Sequence, residues 1–322
     1  MGLPTYNDVH IDRALTDLSV AYFQEAPPVS SRLFLPVSVD NKTDKYWIWD
    51  KADFWRDDMK IRAPGTKFVR IGMRLSTDSF SCDEYAEEYP IPDENAGNAD
   101  AVIRLSQTGT RLLTSRIGLR KDRAFATDFM KTGVWGTDLV GTSGFTKWSD
   151  ATSDPSGNVL TAAEAILNAL GDTYEEAGMR LVALCGSIVV NRLKNHPDAI
   201  DRIKYTQAAT PAAVNQTLAA WLGLDELVVG RRRYTTSAEG ATDAYAPVFD
   251  DDMLVVAVPS APSPETPAAG YTFAWNEGGR GDMYVEQYRD ETVKSDIVRA
   301  VTHFDQKLVA STLGYFFSDC VD

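Results

Sequence analysis

Cysteine and histidine are scarce in this 322-residue chain, with three of each. Cys82, Cys185 and Cys320 form no C-x-x-C pair, which argues against a zinc site and against a disulfide framework. Three reduced, partly buried thiols in a cytosolic protein are expected instead. His10, His196 and His303 lie outside any H-E-x-x-H pattern, and none has a cysteine or carboxylate at metal-ligand spacing. His303 reads as a structural imidazole in an alternating strand, and His196-Pro197 as a helix end. The chain lacks a G-x-S-x-G, and Gly141-Thr142-Ser143-Gly144 reads as a turn. It also lacks a phosphate loop: Gly278-Gly279-Arg280-Gly281 has no following lysine and precedes a strand. Arg280-Gly281-Asp282 matches an integrin tripeptide and reads as a turn. No apolar run approaches the ~20 residues of a membrane-spanning helix. Met1-Gly2-Leu3-Pro4-Thr5 lacks the basic-then-apolar signal pattern, so a cytosolic site of synthesis is expected. Basic charge is also in deficit: 32 Lys and Arg face 46 Asp and Glu, a net −14. Tight, sequence-specific duplex binding needs the opposite balance, though enclosing nucleic acid without gripping it does not.

The most informative stretch runs from Lys45 to Pro92. Trp47 and Trp49 fall on one face of an extended arm, with Tyr46 and Ile48 on the other. A charged aromatic tip follows, containing Phe54, Trp55, Arg56, Asp57 and Asp58, then Arg62 and a turn at Ala63-Pro64-Gly65-Thr66. A second arm is expected over Lys67–Leu75 and an acidic, turn-rich stretch over Ser81–Pro92. A lone two-stranded ribbon is marginal in water. One with aromatics on both faces needs cover, and a neighbouring subunit is the economical source.

Before the ribbon, residues 1–36 read as an arm, with Asp8 or Asp12 capping a short helix that carries Ile11, Leu15 and Leu18. Leu33-Phe34-Leu35-Pro36-Val37 is too short to bury itself and is expected against another part of the assembly. After the ribbon, Asn98–Lys131 holds no proline and carries Val102, Leu105, Leu112, Ile117, Ala124 and Phe125 on a broad stripe. Asn98 or Asp100 is the expected N-cap and Gly133 the stop, while Gly109 and Gly118 weaken the case for an unbroken helix. At 1.5 Å per residue the helix would measure roughly 45–50 Å, a spine.

Residues 132–158 read as loops anchored by Trp135, Phe145 and Trp148. Residues 160–260 alternate helix and strand: a helix capped by Thr161, strands over Arg180–Leu184, Glu226–Gly230 and Met253–Val258, and helices over Ser187–Asn195 (closed by Pro197) and Pro211–Leu222. Tyr234–Tyr245 reads as an exposed loop, and the proline-rich Pro259–Gly270 as a link back out of this module. Tyr284–Arg289, Ile297–Phe304 and Leu308–Leu313 read as closing strands that pack on the long helix. The class is α+β.

Acidic clusters at Asp50/Asp53/Asp57/Asp58, Asp83/Glu84/Glu87/Glu88 and Asp250/Asp251/Asp252 follow no calcium-loop pattern and read as solvated loops. Arg231-Arg232-Arg233, and Arg116, Arg120 and Arg123 on one face of the spine, are candidates for an inner surface near nucleic acid or for contacts with a neighbour's acidic loops. Solvated or internally paired arginines are the alternative. No catalytic residue, cofactor or metal is assigned.

The order of these parts, with His10-Ile11-Asp12-Arg13-Ala14-Leu15-Thr16, Asp44-Lys45-Tyr46, Arg62-Ala63-Pro64-Gly65 and Gly223-Leu224-Asp225-Glu226-Leu227-Val228-Val229-Gly230-Arg231, resembles the tailed-bacteriophage major capsid proteins with the HK-ninety-seven-type fold. The resemblance spans nearly the whole chain. It implies an N-terminal arm at 1–40, an extended E-loop at 41–92, a peripheral (P) domain whose first part, 93–159, holds the spine helix, an axial (A) domain at 160–262 and P-domain return strands at 263–322. It implies self-assembly into hexamers and pentamers of an icosahedral virion shell around double-stranded DNA, built in the host cytoplasm with portal and decoration proteins and without a membrane. The arm-like motif begins within ten residues of Met1, so a separate scaffold protein or prior processing is expected. Lys51, Lys60 and Lys67 have no identifiable Asn partner or catalytic Glu, so no covalent cross-link is expected. Trp47, Trp49, Phe54, Trp55, Arg56 and Arg62 are the expected subunit-interface residues. Two other readings are an encapsulin-like compartment around cargo enzymes and an oligomeric hydrolase using an acidic cluster and a metal.

Overall fold

The computed structural model describes residues 24, 26–94, 105–203, 211–263, 266–277 and 281–322. The expected arm helix around Ile11, the Asn98 and Asp100 caps and the Gly278–Arg280 turn lie outside them.

In chain order the elements are α1 (Ser30–Leu33), β1 (Leu35–Val39), β2 (Thr43–Trp49), α2 (Lys51–Phe54), β3 (Leu75–Ser81), β4 (Asp83–Pro92), α3 (Leu105–Phe129), β5 (Thr137–Val140), α4 (Pro155–Leu170) and α5 (Thr173–Glu176). Next come β6 (Arg180–Gly186), α6 (Ser187–Lys194), α7 (Pro197–Ile203), α8 (Pro211–Trp221), β7 (Glu226–Gly230), β8 (Arg233–Thr235), β9 (Tyr245–Pro247) and β10 (Met253–Val258). The chain closes with β11 (Gly270–Trp275), β12 (Met283–Asp290), β13 (Ser295–Leu308), a 3-10 turn at Ser311–Leu313 and β14 (Gly314–Ser318).

The main core surrounds a mixed sheet in the order β5-β14-β10-β6-β7. All six residues of β10 are buried. A strand covered on both faces needs an apolar run rather than alternation, and Met253–Val258 supplies one. Helix α4 begins at Pro155 behind Asp154, whose side chain accepts the Gly157 N–H at 2.8 Å. Thr161, expected as the cap, lies inside the helix and bonds back to Gly157 O at 2.9 Å. Pro197 does not merely close α6; it opens α7, where a missing N–H costs nothing.

The second sheet has the order β1-β11-β13-β12, and β4 lies on the other edge of β13. The acidic Ser81–Pro92 stretch, expected as turns, is this ten-residue strand β4. The expected return strand over Leu308–Leu313 is also absent. Strand β13 runs unbroken to Leu308, the 3-10 turn follows, and β14 joins the first sheet beside β10 and β5. Leu33 and Phe34 do bury themselves within their own chain, against Phe125 and Phe129, and β1 pairs in parallel with β11.

Helix α3 packs against β13 and β4 of the second sheet, and its 25 residues span about 37 Å. Its buried positions are Gly109, Leu113, Gly118, Lys121, Asp122, Phe125 and Phe129. This is not the apolar stripe expected from sequence, because two glycines and two charges belong to it. Both glycines are points of close approach. A methyl at Gly109 would come within 2.5 Å of the Tyr89 ring, and one at Gly118 within 2.5 Å of Arg232 Nη1. The glycines that argued against an unbroken helix admit β4 and Arg232 to its surface.

Candidate assembly surface

Strands β2 and β3 form a two-stranded ribbon apart from both sheets, with Thr43 opposite Ser81 and Trp49 opposite Leu75. Its base is anchored by Tyr46, whose ring packs 5.3 Å from Phe273 and whose hydroxyl donates to Asp78 at 3.0 Å. Trp47 and Trp49 project from the opposite face, 63% and 42% exposed. The second arm is Leu75–Ser81, not Lys67–Leu75, which has no regular structure before Leu75.

Beyond Trp49, Asp50 caps α2 by accepting the Ala52 N–H at 3.0 Å. Arg74 returns to bind Asp50 at 2.8 Å and Asp53 at 3.1 Å, and this arginine holds the Asp53 carboxyl below the usual carboxylate range. The chain between them makes a long excursion. Phe54 meets Trp49 edge-on at 6.1 Å. Arg56 approaches Asp58 only at 4.0 Å. Arg62 lies over the Phe68 ring at 4.3 Å and donates to Thr66 O at 2.6 Å, closing the turn at Gly65, whose φ is +84°. Met59, Ile61, Phe68 and Ile71 are each more than three-quarters exposed. Residues 56–74 carry six basic and two acidic side chains, a net +4 in a chain of net −14.

Of the other basic candidates, all but the exposed Arg231 are engaged within the chain. Arg116 pairs with Glu87 at 3.1 Å, Arg120 lies over Tyr85 at 4.8 Å and Arg123 over Tyr234 at 4.2 Å. Arg231 is exposed, and Arg233 exchanges backbone and side-chain hydrogen bonds with Gln24 and Tyr245. Arg232 is buried. Its Nε lies 3.0 Å from Asp122 Oδ2, its Nη1 donates to Ser115 O at 3.3 Å and its Nη2 donates to Ala26 O. Asp122 Oδ1 accepts the Ser30 N–H at 3.0 Å. Sequence reasoning singled out Arg232 but missed Asp122. Its only signal is a charge adjoining Lys121, which is itself buried and paired with Asp282 at 2.6 Å. Consecutive helical residues point about 100° apart, so one helix step addresses both partners.

The acidic clusters perform local tasks. Besides the Asp50 and Asp53 contacts, Glu84 faces His303 at 3.4 Å and Glu88 pairs with Arg299 at 2.7 Å. Asp252 accepts the Asp319 N–H at 2.9 Å, and Lys147 bridges Asp319 and Asp322, each at 2.7 Å. Burial, reinforced by Asp251, Asp250 and Asp319, pushes the Asp252 carboxyl up to about 6. Among the described residues no group of three His, Cys, Asp or Glu is placed to hold a metal ion, and no helix is long and apolar enough to cross a membrane.

One constellation mimics a nucleophilic relay. Ser153 Oγ lies 3.2 Å from His196 Nε2, and Asp198 Oδ2 lies 3.7 Å from Nδ1. The Asp198 backbone N–H also points at Nδ1, at 3.4 Å. The Ser153 hydroxyl donates to Asp150 O at 2.7 Å. Both side chains are buried, and the contact ties the start of α7 to the loop before α4.

No protein-family model and no curated protein sequence matches the chain. Solved structures do. A phage-related protein from Bordetella bronchiseptica RB50 is 25% identical, with 93% of this chain and 94% of that one aligned at a TM-score of 0.67. The mature capsid of bacteriophage PhiM1 aligns over 97% and 92% at 11% identity and a TM-score of 0.58. The capsid of cyanophage P-SCSP1u aligns over 94% and 90% at 12% identity and a TM-score of 0.57. The chain thus has the α+β fold of phage capsid proteins, along nearly its full length.

Proposed function

We propose that this chain is the major capsid protein of a tailed phage, a structural subunit that assembles into an icosahedral shell of hexamers and pentamers around double-stranded DNA. The observation that carries the reading is the ribbon: β2, β3 and residues 55–74 extend from a chain of capsid fold with most of their large apolar side chains bare. Contiguous exposed apolar surface marks an interaction site. In the subunit's terms the ribbon is the E-loop, α3 the spine helix, 160–262 the axial domain, whose sheet β14 joins, and the rest of 263–322 the peripheral return strands. Trp47, Trp49, Phe54, Trp55, Arg56 and Arg62 contact a neighbouring subunit. The reading assigns no catalytic step, no cofactor and no covalent cross-link. It places the subunit in the virion, built in the host cytoplasm with a portal.

The test is negative-stain electron microscopy of the protein expressed alone and with its neighbouring genes, followed by nucleic-acid analysis of the particles. Closed shells or hexamer and pentamer rings support the proposal. Shells that hold protein and no DNA would replace it with a cargo compartment of the same fold. Dispersed small species under both conditions would overturn it.

A further inference from the structure

The tip of the ribbon is not free of its own chain. Lys51, the first residue of α2, donates from Nζ to Ala169 O at 2.5 Å. Ala169 lies in the last turn of the 16-residue helix α4, where carbonyls lack helical partners and the dipole favours a cation. The same ammonium lies 3.8 Å from the centroid of the Trp55 ring. Trp55 in turn rests on Gly171, the residue that ends α4. A methyl there would come within 3.1 Å of Trp55 Cζ2, and its φ of +58° with ψ of −142° is a glycine conformation. One end of a single turn of helix is therefore layered as carbonyl, ammonium, indole and bare backbone. Asp172, Glu175 and Glu176 follow directly on Gly171 and are exposed, so the landing site is acidic while the ribbon excursion is basic. Partial burial in this stack lowers the Lys51 pKa.

We infer that Lys51 and Trp55 latch the ribbon onto the C-terminal end of α4 of the same chain, holding the aromatic tip back until a neighbouring subunit displaces it. While the latch is closed, Lys51 covers one face of the Trp55 indole and Gly171 packs against its benzo edge. A neighbour must compete for the same side chain. The latch is also small, made of one charged hydrogen bond and one ring contact, so a neighbouring surface that buries several aromatics outweighs it. The latch itself stands on the geometry of one chain. Its effect on assembly rests on the shell-subunit reading above.

Lys51→Gln keeps the stem and removes the charge, and Lys51→Arg keeps the charge. Hydrogen–deuterium exchange on the unassembled subunit reads the latch without reference to assembly. Lys51→Gln is expected to speed exchange at Asp53, Trp55 and Gly171 by about tenfold, which is a ~1.4 kcal/mol change in the opening equilibrium. Lys51→Arg should retain most of the protection, and the β10 amides should not change in either variant. Unchanged exchange at all three amides in Lys51→Gln would overturn the latch. Assembly kinetics by light scattering then read the consequence: the Lys51→Gln subunit should show a shorter lag than the parent. Faster exchange with an equal or longer lag would overturn the restraining role while leaving both the latch and the shell reading standing. If the parent forms no particles either alone or with its neighbouring genes, the shell reading fails and the exchange result still decides the latch.

Discussion

Replacing Arg232 by Met removes a charge from the most buried ion pair among the described residues. Its side chain is 8% exposed and that of Asp122 is fully buried, so solvent screening does little to soften the loss. The substitution leaves Asp122 Oδ1 with the Ser30 N–H, strands Oδ2, and frees the carbonyls of Ser115 and Ala26. Breaking a buried pair by deleting one partner costs about 3–5 kcal/mol, against a total of about 5–15 kcal/mol for a folded domain. Urea unfolding of the unassembled subunit at pH 7 should therefore show a midpoint lowered by about a fifth or more, with an unchanged slope. The pH dependence gives the diagnosis. Burial already pushes the Asp122 carboxyl up despite Arg232 and the Ser30 amide, and without the guanidinium it rises further. A raised folded-state pKa gives stability that is full below the ordinary carboxylate pKa and is lost as pH rises through the folded value. The deficit of the Met variant should thus shrink toward acid pH. A loss under about 1 kcal/mol, the worth of an ordinary hydrogen bond, or a loss independent of pH, would refute the reasoning.

Gly118→Ala inverts a common rule. In a helix interior this change usually stabilises by about 1 kcal/mol, but here the methyl lands 2.5 Å from an Arg232 Nη1 that Asp122, Ser115 and Ala26 hold in place. The urea midpoint should fall, and fall less in the Arg232→Met background; a stabilised Gly118→Ala protein would contradict the packing. Asp252→Asn keeps an acceptor for the Asp319 N–H and removes a group whose folded-state pKa stands near 6. The parent loses this group's contribution as pH rises from about 4 through 6, so the variant should match it near pH 4 and exceed it above pH 6 by up to about 3 kcal/mol. Equal or lower stability at pH 8 would count against a buried, strained carboxylate. Trp55→Ala should change the unfolding free energy of the subunit by no more than about 0.5 kcal/mol, since the residue is 52% exposed. Particle yield should drop at least tenfold if the ring is a contact hot spot, and normal yield would remove it from the interface.

Much of the architecture was legible in the amino-acid sequence because it rests on local chemistry. The apolar run Met253–Val258, the helix opened by Pro211, the proline-free stretch that becomes α3 and the alternation of Tyr46, Trp47, Ile48 and Trp49 each carry their own signal. What failed was pairing and register. Strand β4 is rich in Asp and Glu, so its composition reads as a turn, but β13 lies beside it for ten residues and Arg116, His303 and Arg299 meet its carboxylates. The second ribbon arm was misplaced by eight residues because a long excursion leaves no trace in periodicity; only hydrogen bonding to β2 sets Leu75 opposite Trp49.

The sequence by itself determined the scarcity of cysteine and histidine, the acidic balance and the unusual exposure demanded by an aromatic ribbon, since each follows from residue type alone. The tertiary structure decided which charges are buried and whom they meet. Asp122 and Arg232 are 110 positions apart, and nothing in either neighbourhood announces the other; the fold brings them to 3.0 Å across a gap that only Gly118 leaves open. A desolvated charge is tolerable only where a partner is delivered to it, and that delivery is a property of the packed chain, not of any segment of it.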